Sequence, residues 1–235
     1  MQFWKNKKEI SFKEFSSLYP RQAKILSKCD EENWQFIIEN ERLKFIYKDY
    51  KPIFIDILNI LESHRIYFYK NSFYKEPLAK ALGLKKGKSR PSVLDATAGF
   101  MGDTLLMSNF DLKSLTCMER YPIAQCLIMD ALTVSDIPID FDPINSADTN
   151  MTFDVCFFDP MYSEKNKKTA PKKEMLMFRE IIGEDLDSIE VAKHLLNISR
   201  ERLVIKRSVK AGYLLETPSH SINGKSTRYD VYLKK

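Results

Sequence analysis

Short apolar runs alternate with helix-like segments throughout the second half of the chain, and this alternation limits the possible folds more than any other feature of the sequence. The strand-like runs are residues 92–94, 114–118, 155–158, 203–206 and 229–233, and the helix-like segments are residues 104–109, 123–132, 172–182 and 189–199. Strands that alternate with helices predict an α/β fold with a mostly parallel sheet and helices on both faces. Such sheets bind ligands at the carboxyl ends of their strands, so the residues that follow each strand are the functional candidates.

The first part of the chain has a different pattern. Residues 11–30 have helical periodicity, residues 34–58 alternate in a way that predicts about three short strands, and EPLAKALGL predicts a helix closed by Gly83. The segment LKKGKSRPS then separates this pattern from the α/β pattern. We expect an N-terminal α+β extension over residues 1–70 and a larger domain over residues 71–235.

Composition narrows the class of protein. The 235 residues are 44% hydrophobic and 29% charged, with a formal net charge of +5, which suits a globular protein and permits a nucleic-acid partner without requiring one. The four cysteines form no C-x-x-C pair, which argues against a zinc site and a disulfide framework. The charged start MQFWKNKKEI lacks the apolar segment of a signal peptide, and no apolar run is long enough to span a membrane. We expect a cytoplasmic protein with no metal and no membrane partner.

Acidic residues stand at the ends of the first two predicted strands. Asp95 ends the first strand and begins a D-x-x-x-G turn that reaches Gly99, and Glu119 follows the second strand. A dinucleotide-binding turn would carry G-x-G-x-x-G instead, so this pair favours S-adenosylmethionine, with its methionine end near Asp95 and Gly99 and its ribose at Glu119. In the next loop, Asp148 could accept a hydrogen bond from the adenine amino group or be a solvated acid. Each of these acids alone could equally well cap a turn or a strand.

The sequence DPMY follows the third apolar run. It resembles the (D/N)-P-P-(Y/F/W) signature of methyltransferases that modify exocyclic amines, such as N2 of guanine. The lone pair of such an amine is delocalised into the ring, and an acceptor at Asp159, with the backbone carbonyl of Pro160, could hold both amine hydrogens and free the lone pair for attack. Tyr162 could stack on the base. The structural alternative is that Asp-Pro ends the strand and Tyr162 packs in the core.

Basic residues follow this motif and two later strands. A lysine run comes directly after DPMY, and other basic residues lie at the ends of the last strands. These candidates for RNA binding are Lys165, Lys167, Lys168, Lys172, Lys173, Lys206, Arg207 and Arg228. Ammonium and guanidinium groups beside the target base could bind the flanking phosphates, which gives salt-sensitive affinity without sequence specificity. A solvated surface is the alternative interpretation of the lysine run.

Together these residues resemble a known family, the RsmJ-type 16S ribosomal RNA (guanine-N2)-methyltransferases. The resemblance rests on HR at 64–65, EPLAKALG at 76–83, VLDATAG at 93–99, MER at 118–120, DPMY at 159–162, PKKEMLMF at 171–178, VIKR at 204–207 and RYDVY at 228–232. It implies a Rossmann-like class I methyltransferase with a mostly parallel seven-stranded sheet and a small N-terminal extension. It also implies that S-adenosylmethionine is the cofactor and that the substrate is a guanine of 16S rRNA, free or in the 30S ribosomal subunit.

Site residues follow from the resemblance by position. It implies cofactor contacts at Gly102, Asp103, Glu119, Arg120, Ala147, Asp148 and Asp159, and it makes His64 and Arg65 candidates for RNA contact. The chain departs from the family pattern at two places. The family typically reads DATAGLGRD where this chain reads DATAGFMGD, so Met101 replaces a glycine and Gly102 an arginine, and Ser163 replaces a proline after the DPMF-type motif.

Two other functions remain open at this point. The DPMY motif alone does not identify the amine, so a DNA or protein amine methyltransferase is an alternative. Met101 in the glycine turn suggests a third possibility, a cofactor-binding RNA chaperone or ribosome-assembly factor with weak catalysis.

Overall fold

We describe the fold from a computed structural model, which describes residues 1–29, 33–161, 177, 180–183 and 185–234. The helices within these residues are α1 (Phe12–Leu18), α2 (Pro20–Leu26), α3 (Ile57–Lys70), α4 (Pro77–Ala81), α5 (Gly102–Met107), α6 (Pro122–Leu132) and α7 (Ser188–Ile198). The strands are β1 (Gln2–Lys5), β2 (Lys8–Ile10), β3 (Gln35–Glu39), β4 (Arg42–Ile46), β5 (Ser92–Asp95), β6 (Ser114–Met118), β7 (Asp140–Asp142), β8 (Phe153–Phe158), β9 (Ser199–Ser208), β10 (His220–Asn223) and β11 (Thr227–Leu233).

The chain divides into two compact units. The first contains Met1–Ile57, Tyr121–Asp136 and the described residues between positions 162 and 184. The second contains Leu58–Arg120, Ile137–Met161 and the residues from Asp185 onward. The boundary at residue 70 stays a prediction from the sequence.

The second unit is built on a seven-stranded sheet with the order β10-β11-β9-β8-β5-β6-β7. The strands from β9 to β7 in this order are parallel, and β11 is antiparallel to both of its neighbours. Strand order reverses between β5 and β8, which lie side by side although a long stretch of chain separates them. This topology confirms the predicted Rossmann-like class I architecture, and it places the favoured ligand position at the carboxyl ends of β5, β6 and β8.

Both faces of this sheet are buried, as the period of a strand requires. Along β8, Val155 and Phe157 pack into a core with residues of α4, whereas Cys156 and Phe158 pack into a second core with residues of α7. Because successive side chains of a strand point to opposite faces, an unbroken apolar run indicates cover on both sides. The predicted helices on both faces are therefore confirmed.

The structure corrects the prediction of three strands between residues 34 and 58. Two of them form, as β3 and β4, but Ile53 makes only an isolated bridge to Phe45, and Ile57 begins α3. The apolar residues Ile53, Ile55 and Ile57 alternate over too short a distance to separate a strand from an extended approach to a helix. Much of the predicted helix at 172–182 lies outside the described residues, although Met177 and residues 180–182 are helical.

The first unit is a four-stranded sheet with the order β2-β1-β3-β4. An aromatic core holds it together: Phe3 and Phe36 stack with a centroid distance of 5.9 Å, and Phe15 of α1 lies 4.3 Å from Phe3. No helix in the part of the chain that the structure describes is long and apolar enough to cross a membrane.

Candidate active site

Three carboxylates meet the carboxyl edge of the large sheet near the point where strand order reverses. Asp95 is the last residue of β5, and Glu119 and Asp159 directly follow β6 and β8. The register pairs Asp95 with Cys117 on one side and with Phe157 on the other, so the three strands end within one residue of each other. Asp95 is 1% exposed and Glu119 is 4% exposed. Buried acids of this kind are suited to a ligand that carries positive charge and hydroxyl groups.

Hydrogen bonds connect the turn after β5 to the residues that follow β6 and β8. The backbone N–H of Gly99 donates to Oε2 of Glu119 at 2.7 Å, and the backbone N–H of Asp159 donates to Oγ1 of Thr97 at 2.8 Å. Gly99 has φ of +53°, and a Cβ at this position would have only the carbonyl of Thr97 within 4 Å, at 3.9 Å. The glycine therefore serves the backbone conformation and leaves open space above the turn.

Asp95 is a buried acid with a perturbed pKa. Its Oδ2 accepts a hydrogen bond of 2.5 Å from the hydroxyl of Thr104, and its Oδ1 accepts one of 3.1 Å from the backbone of Thr97. Burial raises the pKa of Asp95 to about 7, the bond from Thr104 opposes this rise, and the charge of Asp103 adds to it. A cation bound here would favour the ionised carboxylate.

The DPMY motif begins at this edge with its acid already engaged. Asp159 is half-buried and Pro160 is buried. One oxygen of Asp159, Oδ2, accepts a hydrogen bond of 2.8 Å from Nζ of Lys206, which also donates to Asp103 at 2.6 Å. The ammonium of Lys206, for which we predicted RNA contact, thus lies between two carboxylates that we predicted as cofactor contacts, one of which, Asp159, we also predicted to hold the target amine.

Met101, which stands where the family typically has a glycine, has a left-handed backbone conformation. Met101 has φ of +63° and ψ of +14° at the N-cap of α5, and its side chain is fully buried. A non-glycine residue in this region costs about 1–2 kcal/mol. Gly102, the first residue of α5, has nothing within 4 Å of a Cβ position, so the local packing does not require a glycine there.

Arg120, which follows β6 directly after Glu119, contacts the chain that follows DPMY. Its guanidinium donates to both oxygens of Asp187, at 2.9 and 2.8 Å, and also forms an ion pair with Asp185. Asp185 in turn accepts a hydrogen bond of 2.6 Å from the backbone of Met161, and its own N–H donates to the Met161 carbonyl at 2.9 Å. Sequence reasoning missed these two aspartates, since no motif marks an acid whose partner lies far along the chain.

The remaining predicted cofactor residues lie in the loop before β8. Ala147 and Asp148 belong to a 3-10 turn in which the side chain of Asn145 accepts from the Ala147 N–H at 3.1 Å. Ala147 packs against the second core, and Asp148 is exposed at the end of the turn. This exposure is compatible with either sequence interpretation of Asp148.

The predicted RNA contacts are spread over several environments. His64 contacts the Leu105 carbonyl through Nδ1 at 3.2 Å, whereas Arg65 is exposed and pairs with Glu62. Arg228 is bound to the buried Asp230 through two nitrogens, at 2.7 and 2.9 Å. Arg228 also donates to the Val209 carbonyl, and its guanidinium lies over the Tyr213 ring. Arg207 donates to the Gly212 carbonyl. Tyr162, Lys165, Lys167, Lys168, Lys172 and Lys173 lie outside the described residues.

Comparisons with known proteins agree with this geometry. Residues 21–234 match the family model described as a putative SAM-dependent methyltransferase. A ribosomal RNA small subunit methyltransferase J from Thioalkalivibrio sulfidiphilus is 35% identical over 178 residues, which cover 69% of this chain and 69% of the relative. A protein of the same name from Pseudomonas aeruginosa is 35% identical over 199 residues, covering 78% of this chain and 75% of the relative.

Solved structures show the same fold. A SAM-dependent methyltransferase from Neisseria gonorrhoeae aligns with a TM-score of 0.66 at 20% identity, covering 98% of this chain and 95% of that one. The Thermus thermophilus 16S rRNA N2 G1207 methyltransferase, solved with AdoMet and guanosine, aligns with a TM-score of 0.50 at 13% identity, covering 87% of this chain and 52% of that one.

The fold and its strand-end acids define a class I methyltransferase that uses S-adenosylmethionine. The chain belongs to the ribosomal RNA small subunit methyltransferase J family, which confirms the resemblance seen in the sequence. The donor set fits the cofactor, because buried acids at two strand ends suit its ammonium and ribose hydroxyls and the turn at Gly99 leaves open space. No cluster of metal-ligating side chains occurs within the described ranges.

Proposed function

We propose that this protein transfers the methyl group of S-adenosylmethionine to the exocyclic N2 amine of one guanine in 16S ribosomal RNA. The observation that carries the proposal is the position of Asp159 and Pro160, at the carboxyl end of β8 and beside the strand ends that carry Asp95 and Glu119. Family membership supports the ribosomal RNA as substrate, since the curated relatives are named as small subunit methyltransferases.

The cofactor, when bound, supplies a methyl group on a positively charged sulfur. Asp95 and Gly99 would hold its methionine end, Glu119 its ribose and Asp148 its adenine. Contacts from Gly102, Asp103, Arg120 and Ala147 are proposed by family position. A carboxylate at a strand end is well placed to accept from hydroxyl or ammonium groups, which charge-assisted hydrogen bonds make strong.

The target amine would be held by the DPMY motif. Asp159 and the Pro160 carbonyl would accept its two hydrogens, and Tyr162 would stack on the guanine ring, which is worth about 1–3 kcal/mol per base. The rate then comes from orientation and from charge placed where it develops. As the amine nitrogen takes the methyl group, the methyl–sulfur bond would break with its electron pair remaining on sulfur, and Asp159 would accept the proton that the nitrogen loses.

The RNA backbone would be bound by the lysine run after DPMY and by the exposed Arg65. These groups would give affinity that falls with salt and contributes no base specificity. The assembled 30S subunit or free 16S rRNA would be the substrate, and the cytoplasm would be the place of action.

The proposal is tested by measuring methyl transfer by the Asp159→Asn variant to rRNA from a strain that lacks this enzyme. Radiolabelled cofactor measures the rate, and mass spectrometry identifies the modified nucleotide. We expect kcat to fall about 10²-fold to 10³-fold, as on loss of one preorganised contact to the reacting group. Cofactor affinity, measured by calorimetry, falls much less. Asp111→Asn is the matched control, because this aspartate forms a surface pair with Arg90. Unchanged turnover in Asp159→Asn contradicts the mechanism.

The same assay separates the alternatives. RNA, DNA and protein substrates are compared side by side, and label in DNA or protein but not in RNA would identify a different amine methyltransferase. Absence of cofactor binding in calorimetry would favour an assembly factor instead.

A further inference from the structure

Lys206 joins two parts of the candidate site that the sequence treats separately. It lies on β9 next to the strand end that carries Asp159, because Phe158 of β8 pairs with Ile205. Its Nζ lies 2.6 Å from Oδ2 of Asp103 in the first turn of α5 and 2.8 Å from Oδ2 of Asp159. One ammonium therefore connects the turn after β5 with the acid of the DPMY motif.

The charges around Lys206 hold it in this position. Burial alone would lower the pKa of Lys206, but the charges of Asp159 and Asp103 outweigh burial and raise it. The lysine is therefore protonated throughout the physiological range. Without Lys206, the two partly buried carboxylates would lie near each other and near Asp95 with no cation between them. Removal of one partner from a buried ion pair strongly destabilises the folded state.

This environment differs from that of a lysine that binds phosphate from solvent. The side chain of Lys206 is 24% exposed and already donates to two carboxylates. Two of its three N–H donors are taken by carboxylates whose negative charges repel a phosphate, which places a free-energy cost on any RNA contact. An exposed lysine has no such cost.

We infer that Lys206 is a positioning residue for methyl transfer, which fixes the carboxylate of Asp159 against the turn of Asp103 so that the target amine meets an oriented, ionised acceptor. The inference rests on the proposed role of Asp159. It moves Lys206 from the predicted RNA-binding surface into the site itself. Displacement of a reacting group by about 1 Å can lower the rate on the order of 10²-fold, so loss of this contact should reduce turnover more than RNA binding.

The first test is the split between kcat and KM in Lys206→Met, assayed on rRNA that lacks the modification. We expect kcat to fall on the order of 10²-fold, while KM for RNA stays close to that of the wild type. Lys206→Arg, which keeps the charge and the donors, recovers part of kcat. Lys85→Met removes one exposed lysine from the loop before β5 and serves as the matched control with unchanged kcat. Melting temperatures show that each variant is folded, and Lys206→Gln replaces Lys206→Met if the methionine variant is not.

The second test is the salt dependence of RNA binding. Each phosphate contact contributes about 0.7 to the slope of log K against log salt for a single strand, and about 0.9 for a duplex. We expect the slope of Lys206→Met to equal that of the wild type. A slope reduced by that amount with unchanged kcat would overturn the inference. A wild-type enzyme that does not methylate RNA would instead contradict the proposed function, so the two failures are distinguishable.

Discussion

At the scale of single residues, the buried acid Asp95 makes a testable contribution to pH dependence. Burial raises its pKa from 3.8 to about 7, so the folded state binds a proton that the unfolded state releases between these values. Stability therefore falls as pH rises through this range and stays low above it. The variant Asp95→Asn lacks this titrating group. Between pH 4.5 and pH 8, we therefore expect the free energy of unfolding of the wild type to fall by about 2–4 kcal/mol more than that of the variant.

Urea denaturation of both proteins across this range measures the difference, in which other titrating groups cancel. A difference that is independent of pH would show that Asp95 titrates at its ordinary value. Calorimetry gives a second readout, because a cation at Asp95 favours the ionised form. The affinity of the wild type for S-adenosylmethionine should therefore increase from pH 6 to pH 8 more than that of Asp95→Asn.

The residue scale also shows what a sequence can reveal about a site. Asp95 and Glu119 were predicted as strand-end acids because their position depends only on local pattern, and the structure brings them to one edge. The partners of Lys206 were not predictable, since Asp103, Asp159 and Lys206 are far apart in the chain and meet only through the strand order. A basic residue at a strand end looks the same whether it faces phosphate or an acid.

At the scale of secondary-structure elements, the start of α5 shows how a turn tolerates an unfavourable residue. Met101 is left-handed and fully buried, so burial of its side chain compensates for backbone strain. Both Met101→Gly and Met101→Ala lose this burial, which costs about 2–5 kcal/mol. Only glycine removes the strain, so we expect Met101→Gly to be more stable than Met101→Ala by about 1 kcal/mol.

Met107 provides the matched control for this prediction. It is the fully buried last residue of α5, where the backbone is helical, and glycine in a helix costs up to about 1 kcal/mol relative to alanine. We expect the order of the glycine and alanine variants to reverse between the two positions in urea denaturation. The same order at both positions would mean that Met101 is not strained.

Element boundaries were predictable where a pattern was long and failed where it was short. The strand at 114–118 agrees with β6, and the helix at 123–132 with α6. The strands β1, β2, β7 and β10 were not predicted, because each has only three or four residues and shows at most one full alternation. In the same way, Ile57 was assigned to a strand although it begins α3.

At the scale of the whole molecule, the first unit is assembled from segments that are far apart in the chain. Helix α6 follows β6 of the large sheet in sequence but belongs to the first unit with β3 and β4. Asp130 of α6 makes this connection: its Oδ2 accepts from Arg42 at 2.8 Å and its Oδ1 from the backbone N–H of Leu43 at 2.9 Å. Arg42 also donates to the Ile55 carbonyl at 2.8 Å. A pattern along the sequence cannot show such a connection, because Asp130 and its partners are far apart in the chain.

This arrangement predicts that Asp130 stabilises the first unit from outside its N-terminal sequence. Its side chain is 3% exposed, and Asp130→Ala would leave the Arg42 guanidinium and the Leu43 N–H without their acceptor. Removal of one partner from a buried pair costs about 3–5 kcal/mol, so we expect a loss near the lower end of this range, since Arg42 retains some exposure to water. Glu39→Ala, which breaks an exposed pair with Lys44 in the same sheet, should destabilise the protein much less and is the control. Urea denaturation, followed by fluorescence of Trp4 and Trp34, reports on this unit directly, and equal effects of the two variants would show that Asp130 does not join α6 to it.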